Sequence, residues 1–235
     1  MTKQGRGRRT ICRAYGIMDV QRKATHQEDR HTSPDRETNL HEQQFSYNFA
    51  PDKTTPTRKK AMDKIILETE RMYLREMSPE DFKAICLIMQ DEQTMQAYNG
   101  AFADCDVRTW IERQLQRYDT YGYGLWAAIR KDSGELIGQC GLTRQYWLER
   151  QVTEVGYLFR RDHWHKGYAT EAAKACKTYA FGQLEADRLC AIIRDTNTAS
   201  QRVAQRIGMT RRPGIMVKHY RGTDMPHYLF AVEKY

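Results

Sequence analysis

No stretch of this chain reaches the ~18 consecutive apolar residues that a membrane-spanning helix needs. A charged leader followed by an apolar segment is missing as well, so secretion is not expected. The six cysteines (Cys12, Cys86, Cys105, Cys140, Cys176, Cys190) contain no C-x-x-C pair. Falling mostly in segments expected to be helix or strand, they read as reduced packing residues of a cytoplasmic protein. His163 and His165 have no third ligand nearby, so no metal is expected and both read as basic loop residues. Acidic surplus is lacking too: 38 Lys and Arg face 30 Asp and Glu, net +8.

That positive charge is unevenly placed. Residues 1–61 hold 13 basic and 7 acidic residues, few aliphatics and no apolar period, which reads as a disordered basic extension. Such a segment is a solvated tail, a basic arm for nucleic acid or an acidic partner, or sequence upstream of a natural start at Met62. The last is favoured, because Met62 stands just before the first expected strand. The early arginines hint at an organellar transit peptide, but Asp19, Glu28 and Asp29 argue against it. Residues 62–235 carry 25 basic and 23 acidic residues, and net +2 gives nucleic acid little to hold. Arg206, Arg211 and Arg212 read as a solvated face. At 174 residues this segment is one domain of sufficient size to fold alone.

Periodicity then orders the domain. Leu67–Met77 reads as a strand, and Ser78-Pro79-Glu80-Asp81 opens a helix burying Phe82, Ile85, Cys86 and Met89. A short helix after Asp106 carries Trp110, Ile111, Leu115 and Tyr118. Leu125–Ile129 and Leu136–Leu142 form a hairpin across Lys131-Asp132-Ser133-Gly134. Glu154–Phe159 is a strand leading into a basic turn, and Gly167 opens a helix with apolar Ala169, Ala172, Ala173, Cys176 and Ala180. Gly182 is expected to end it. Leu189–Ile193 is a strand, Asn197 caps a helix closed by Gly208, and Ile215–Tyr220 and His227–Val232 finish the chain.

The strand, turn and helix start around Gly167 form a unit suited to phosphate. The free N–H groups of a first helical turn and the helix dipole face an anion, and glycine lets the backbone approach closely. An ordinary strand-to-helix turn is the plain alternative. The wider pattern decides between them: Trp164-x-x-Gly167-Tyr168-Ala169-Thr170-Glu171-Ala172, Tyr179-Ala180-Phe181, Arg188-Leu189, Asn197-Thr198-Ala199-Ser200 and Ile207-Gly208-Met209. Upstream stand Glu70-Arg71-Met72-Tyr73-Leu74-Arg75 and Ser78-Pro79-Glu80-Asp81.

This pattern resembles the GNAT superfamily of acetyl-CoA-dependent N-acetyltransferases, in particular the ribosomal-protein-serine/alanine N-acetyltransferase branch, from about Leu67 to Tyr235. Trp164 stands where the superfamily usually has Gln or Arg, a departure this branch tolerates. The resemblance implies an α/β (α+β) GNAT fold: a mixed, mostly antiparallel sheet of about seven strands with helices on both faces. It implies that the amides of His165, Lys166, Gly167, Tyr168, Ala169 and Thr170, with Trp164 beside them, hold the CoA diphosphate. The pantetheine arm would pair with Tyr157, Leu158 and Phe159 where this strand splays from the next, and Asn197 and Ser200 would also touch the cofactor.

Two side chains carry the implied chemistry. Glu154 is the candidate base that takes the amine proton through water, the alternative being a surface or salt-bridged glutamate. Ser200 is the candidate donor to the leaving sulfur. Tyr98, Trp110, Tyr121, Tyr123 and Trp126 are candidates for an acceptor pocket, of which one or two are expected to touch substrate. The expected partners are acetyl-CoA and an amine, either a protein N-terminus or a small molecule, and the expected assembly is a monomer or homodimer. A non-catalytic acetyl-CoA-binding module and an enzyme acetylating aminoacyl-tRNA are the alternatives.

Overall fold

The hairpin expected across Lys131–Gly134 is the middle of a nine-stranded sheet in the computed structural model, which describes residues 64–234. The expectations for residues 1–61 and for a start at Met62 lie outside the described residues. In chain order the elements are β1 (Ile65–Glu68), β2 (Met72–Arg75), α1 (Phe82–Met89), α2 (Asp104–Tyr121), β3 (Leu125–Arg130), β4 (Leu136–Trp147), β5 (Arg150–Phe159), α3 (Tyr168–Gly182), β6 (Arg188–Arg194), α4 (Thr198–Arg206), β7 (Thr210–Arg211), β8 (Met216–Tyr220) and β9 (Thr223–Glu233). The sheet runs β1-β2-β3-β4-β5-β6-β9-β7, with β8 also paired to β9. All pairings are antiparallel except β5 with β6. This is the mixed, mostly antiparallel sheet expected, with two more strands than the expected seven.

One extra strand arises at the start. The single strand read over Leu67–Met77 is broken by a turn in which Thr69 accepts and donates to Met72, its N–H reaching the Met72 carbonyl at 2.9 Å. The break matters because it lifts Arg71 out of the sheet. The other extra strand is β7, only two residues long and held by β9.

The second helix is longer than read from the sequence. Asp106 is its third residue, not the residue before it, and the Asp106 carboxylate takes the Ala103 N–H at 3.1 Å. With alanine at the N-cap, the usual polar start signal is absent, which is why the first turn was invisible. Gly182 is the last residue of α3 and Gln183 caps it, so this helix does not end on a left-handed glycine. Gly208, at φ +90°, does play that part after α4.

The two faces of the sheet are covered differently. On one, α3 presses Ala172, Ala173, Cys176 and Ala180, all fully buried, onto Trp126, Cys140, Val155 and Phe159. Such small side chains let the helix backbone lie close to the strands, and the Cys140 and Cys176 sulfurs meet at 3.5 Å. Burial pushes the Cys176 thiol well up, so it packs as an inert thiol, not a reactive one. On the other face α1 and α2 bury Ile85, Ile88, Met89, Val107, Trp110 and Ile111 against Leu125, Ala127, Ile129 and Leu136. Among the described residues no helix is long and apolar enough to cross a membrane.

Candidate active site

Strand β5 carries Glu154 and Tyr157–Phe159 and leads into the turn at Gly167. It pairs with β4 along its whole length, from Trp147 opposite Arg150 to Gly138 opposite Phe159. With β6 it shares one paired position, Glu154 opposite Cys190. Beyond it the two strands part, so the β6-facing backbone of Tyr157, Leu158 and Phe159 has no strand partner among the described residues. At the parting point the Glu154 carboxylate replaces a ladder rung: Oε1 accepts the Ile192 N–H at 3.1 Å, and Oε2 accepts the Thr143 hydroxyl at 3.2 Å. Burial raises the Glu154 carboxyl above its ordinary range, although Lys218, the two hydrogen bonds and Arg117 favour its charged form. A carboxylate pushed upward is better matched to taking a proton near neutral pH.

At the end of β5 comes the turn. Residues Arg161–His163 form one 3₁₀ turn, the Trp164 N–H donates to the Arg161 carbonyl at 3.1 Å, and the Trp164 indole N–H donates to the Phe159 carbonyl at 2.7 Å. Trp164 therefore braces the turn with both its donors. His165 (φ +60°) and Gly167 (φ +85°) are left-handed, and α3 begins at Tyr168. Intrahelical bonding starts with the Glu171 N–H to the Gly167 carbonyl at 3.0 Å. Among the described residues, the N–H groups of His165, Lys166, Gly167, Tyr168, Ala169 and Thr170 have no protein partner. His165, Lys166 and Gly167 are exposed. A run of open amides at a helix start, beside the Lys166 ammonium, is chemically fitted to a diphosphate.

A residue that sequence reasoning quoted without giving it a role holds this turn in shape. Arg71, freed by the β1–β2 break, donates from Nη1 to the Lys166 carbonyl at 2.9 Å and from Nε to Glu171 Oε2 at 2.7 Å. Its own N–H reaches Glu171 Oε1 at 2.9 Å, and its guanidinium lies 4.4 Å from the centre of the Tyr168 ring. Burial alone would raise the Glu171 carboxyl, but the Arg71 backbone, Thr69 and the Arg71 side chain outweigh it and hold it below the usual range. The contact spans 100 residues, so no local pattern could reveal it. Arg71→Ala is expected to raise KM for acetyl-CoA about tenfold, one lost charge-assisted anchor of about 1.4 kcal/mol, with kcat nearly unchanged. Steady-state kinetics at saturating amine checks this.

Across the gap, the Tyr157 hydroxyl donates to the Ser200 carbonyl at 2.9 Å, tying β5 to α4. Burial raises the Tyr157 hydroxyl's pKa. Asn197 caps α4, its Oδ1 accepting the Ser200 N–H at 3.0 Å. Asn197, Ser200 and Tyr157 are thus brought together beside the gap.

The histidines and aromatics divide. His163, read as a basic loop residue, is buried at 6% exposure against Tyr168, and burial lowers its pKa; this corrects the sequence reading. His165 is exposed, as read. Of the five aromatic candidates, Trp126 is core beneath α3, edge-on to Tyr179. Tyr121 and Tyr123 line a separate open cavity of about 530 Å³ with Arg144 and Gln183. Tyr98 and Trp110 cluster with Phe102 and Tyr220 on the face that carries Glu154, whose charge acts on the Tyr98 hydroxyl. Among the described residues no cluster of three metal-ligating side chains forms.

Known proteins resemble this chain in sequence and fold. Residues 71–210, more than half the chain, match the family model described as an acetyltransferase (GNAT) domain. YkkB of Bacillus subtilis (strain 168), an uncharacterised protein, is 39% identical over 144 residues, covering 61% of this chain and 84% of its own. Other curated Bacillus relatives carry N-acetyltransferase names. The crystal structure of an acetyltransferase from Agrobacterium tumefaciens str. C58 superposes with a TM-score of 0.60 at 27% identity, over 72% of this chain and 94% of that one. RimL, a ribosomal L7/L12 α-N-protein acetyltransferase solved with coenzyme A, shares the fold at a TM-score of 0.59 and 17% identity, over 72% and 98%. The chain belongs to the GNAT family of N-acetyltransferases.

Proposed function

We propose that this protein transfers the acetyl group of acetyl-CoA to a primary amine by direct attack, with no covalent enzyme intermediate. The observation that carries this reading is the arrangement along β5. Its parting from β6 begins at a half-buried carboxylate and ends at six amides with no protein partner among the described residues, so one strand offers a proton acceptor, an open edge and an anion cradle in sequence. The amides of 165–170 with Lys166 take the diphosphate. Pantetheine amides pair with the free edge of Tyr157–Phe159, as an added strand would, and Asn197 meets the same arm. A β5 N–H in the gap receives the charge that develops on the thioester oxygen. Glu154, through water, removes the amine proton, and the Ser200 hydroxyl returns one to the departing sulfur.

The acceptor amine decides how much work Glu154 does. An α-amine with a pKa near ~7.7–8.0 is partly neutral at pH 7, whereas a lysine-like amine near ~10.4 is almost wholly charged. The fold shared with ribosomal-protein acetyltransferases favours an α-amine. The test is release of CoA thiol, with product mass, across a panel of peptide and small-molecule amines. An acetylated product formed mole for mole with thiol is expected. Tight acetyl-CoA binding with no turnover on any amine would replace this reading by a non-catalytic binding module.

A further inference from the structure

The tip of the β8–β9 hairpin is fastened to the loop between α1 and α2. Arg221 donates to the Gly100 and Ala101 carbonyls at 3.2 and 2.9 Å, Asn99 Nδ2 donates to Thr223 Oγ1 at 3.1 Å, and the Tyr98 and Tyr220 rings meet edge to face at 6.4 Å. These contacts join two segments, far apart in the chain, on the face of the sheet that carries Glu154.

The charges near this junction are one-sided. The acids on or beside the joined segments are already engaged: Asp91 lies 3.4 Å from Arg161, Glu92 accepts the Ala101 N–H at 3.2 Å, Asp106 lies 3.7 Å from Arg221, and Asp224 2.8 Å from His219. Lys218, on exposed β8, has no hydrogen-bond or ion-pair partner among the described residues. Arg113 and Arg117 stand one helical turn apart on α2, both half-buried. Lys218 and Arg117 both act on the Glu154 carboxylate, and Arg113 acts on Tyr220. A polycationic acceptor arriving here would meet like charge, whereas an anionic one would be drawn in.

We infer that the acceptor carries a carboxylate near its reacting amine, as an acidic-flanked peptide N-terminus or an amino acid does, with Lys218 and Arg113 as its counter-charges. The inference rests on the acetyl-transfer reading above and narrows its substrate. Arginine on a half-buried helix face gives such a carboxylate a fixed, forked partner, and the flexible lysine on β8 adds a point charge.

The experiment compares matched peptides differing only after the first residue, Ser-Asp-Asp against Ser-Lys-Lys, together with glutamate and spermidine as the small-molecule arms. At low salt the acidic peptide should exceed the basic one in kcat/KM by about tenfold or more, and salt should narrow the ratio. K218E should shrink or invert that ratio, with K218Q in between, whichever peptide is faster overall. The small-molecule arms show whether a free amino acid suffices or a peptide is needed. Equal or faster use of the basic peptide and spermidine, or a ratio that K218E leaves unchanged, would overturn this inference while leaving acetyl transfer standing. No thiol release with any of the four would overturn the acetyl-transfer reading, and the inference with it.

Discussion

Glu154→Gln should lower kcat by about 10²–10⁴-fold, the usual contribution of a positioned base, while acetyl-CoA affinity stays within about twofold. The substitution is conservative where it matters for structure. A Gln oxygen can still accept the Ile192 N–H, and its amide can donate to the Thr143 hydroxyl, so the rung between β5 and β6 survives. What disappears is the ability to take a proton. In the parent enzyme the acid limb of the kcat/KM profile should lie above the ordinary carboxylate range, because burial raises this group. In the variant that limb should vanish.

The same substitution has a thermodynamic signature of known sign. A carboxyl raised in the folded state binds its proton more tightly there than in the unfolded chain. Its contribution to stability is present below the unfolded pKa of about 4.3 and is lost as pH rises through the folded value. At neutral pH the buried charge is therefore a cost that Gln removes. The variant should melt higher than the parent at pH 7 and lose that advantage below about pH 4. Lower activity together with a higher Tm would separate a catalytic base from a merely structural glutamate, whose loss would depress both. A variant with unchanged kcat would end the proposed role.

Gly167→Val should weaken acetyl-CoA binding by about 100-fold or more in calorimetry, the size expected if several main-chain hydrogen bonds to the diphosphate are lost together. Gly167 sits at φ +85°, which a β-branched residue adopts only under strain, and an added Cβ would stand 3.4 Å from the Arg71 guanidinium. The branched methyls would crowd the open amides and the clamp together. Strain alone is controlled by Gly134→Val in the β3–β4 turn, at φ +69° with nothing within 4 Å of its added Cβ. That variant should lose stability of similar order and keep its affinity. Equal loss of binding in both would show a general folding defect and remove the phosphate role from the 165–170 turn.

Much of the fold was written in local pattern. The helix with Ala172, Ala173, Cys176 and Ala180 on one stripe, the β3–β4 hairpin, and the cap at Asn197 each depend on residues within a few positions of one another. Such signals survive in one dimension because periodicity and capping act over a single turn or pleat. The misreadings occur where local signals are silent: the alanine cap before α2, and the break between β1 and β2.

From its residues alone the chain declared a glycine turn into a helix at Gly167, the strand that feeds it and the carboxylate on that strand, because backbone freedom, alternation and charge are properties of neighbours. Only folding could decide that β6 leaves β5 after one paired position, that the Glu154 side chain fills that rung, and that Arg71 crosses 100 residues to brace the turn. Those facts depend on which strands meet and at what register. Burial, not residue type, then sets the proton affinity of Glu154, and burial exists only once distant segments have packed around it.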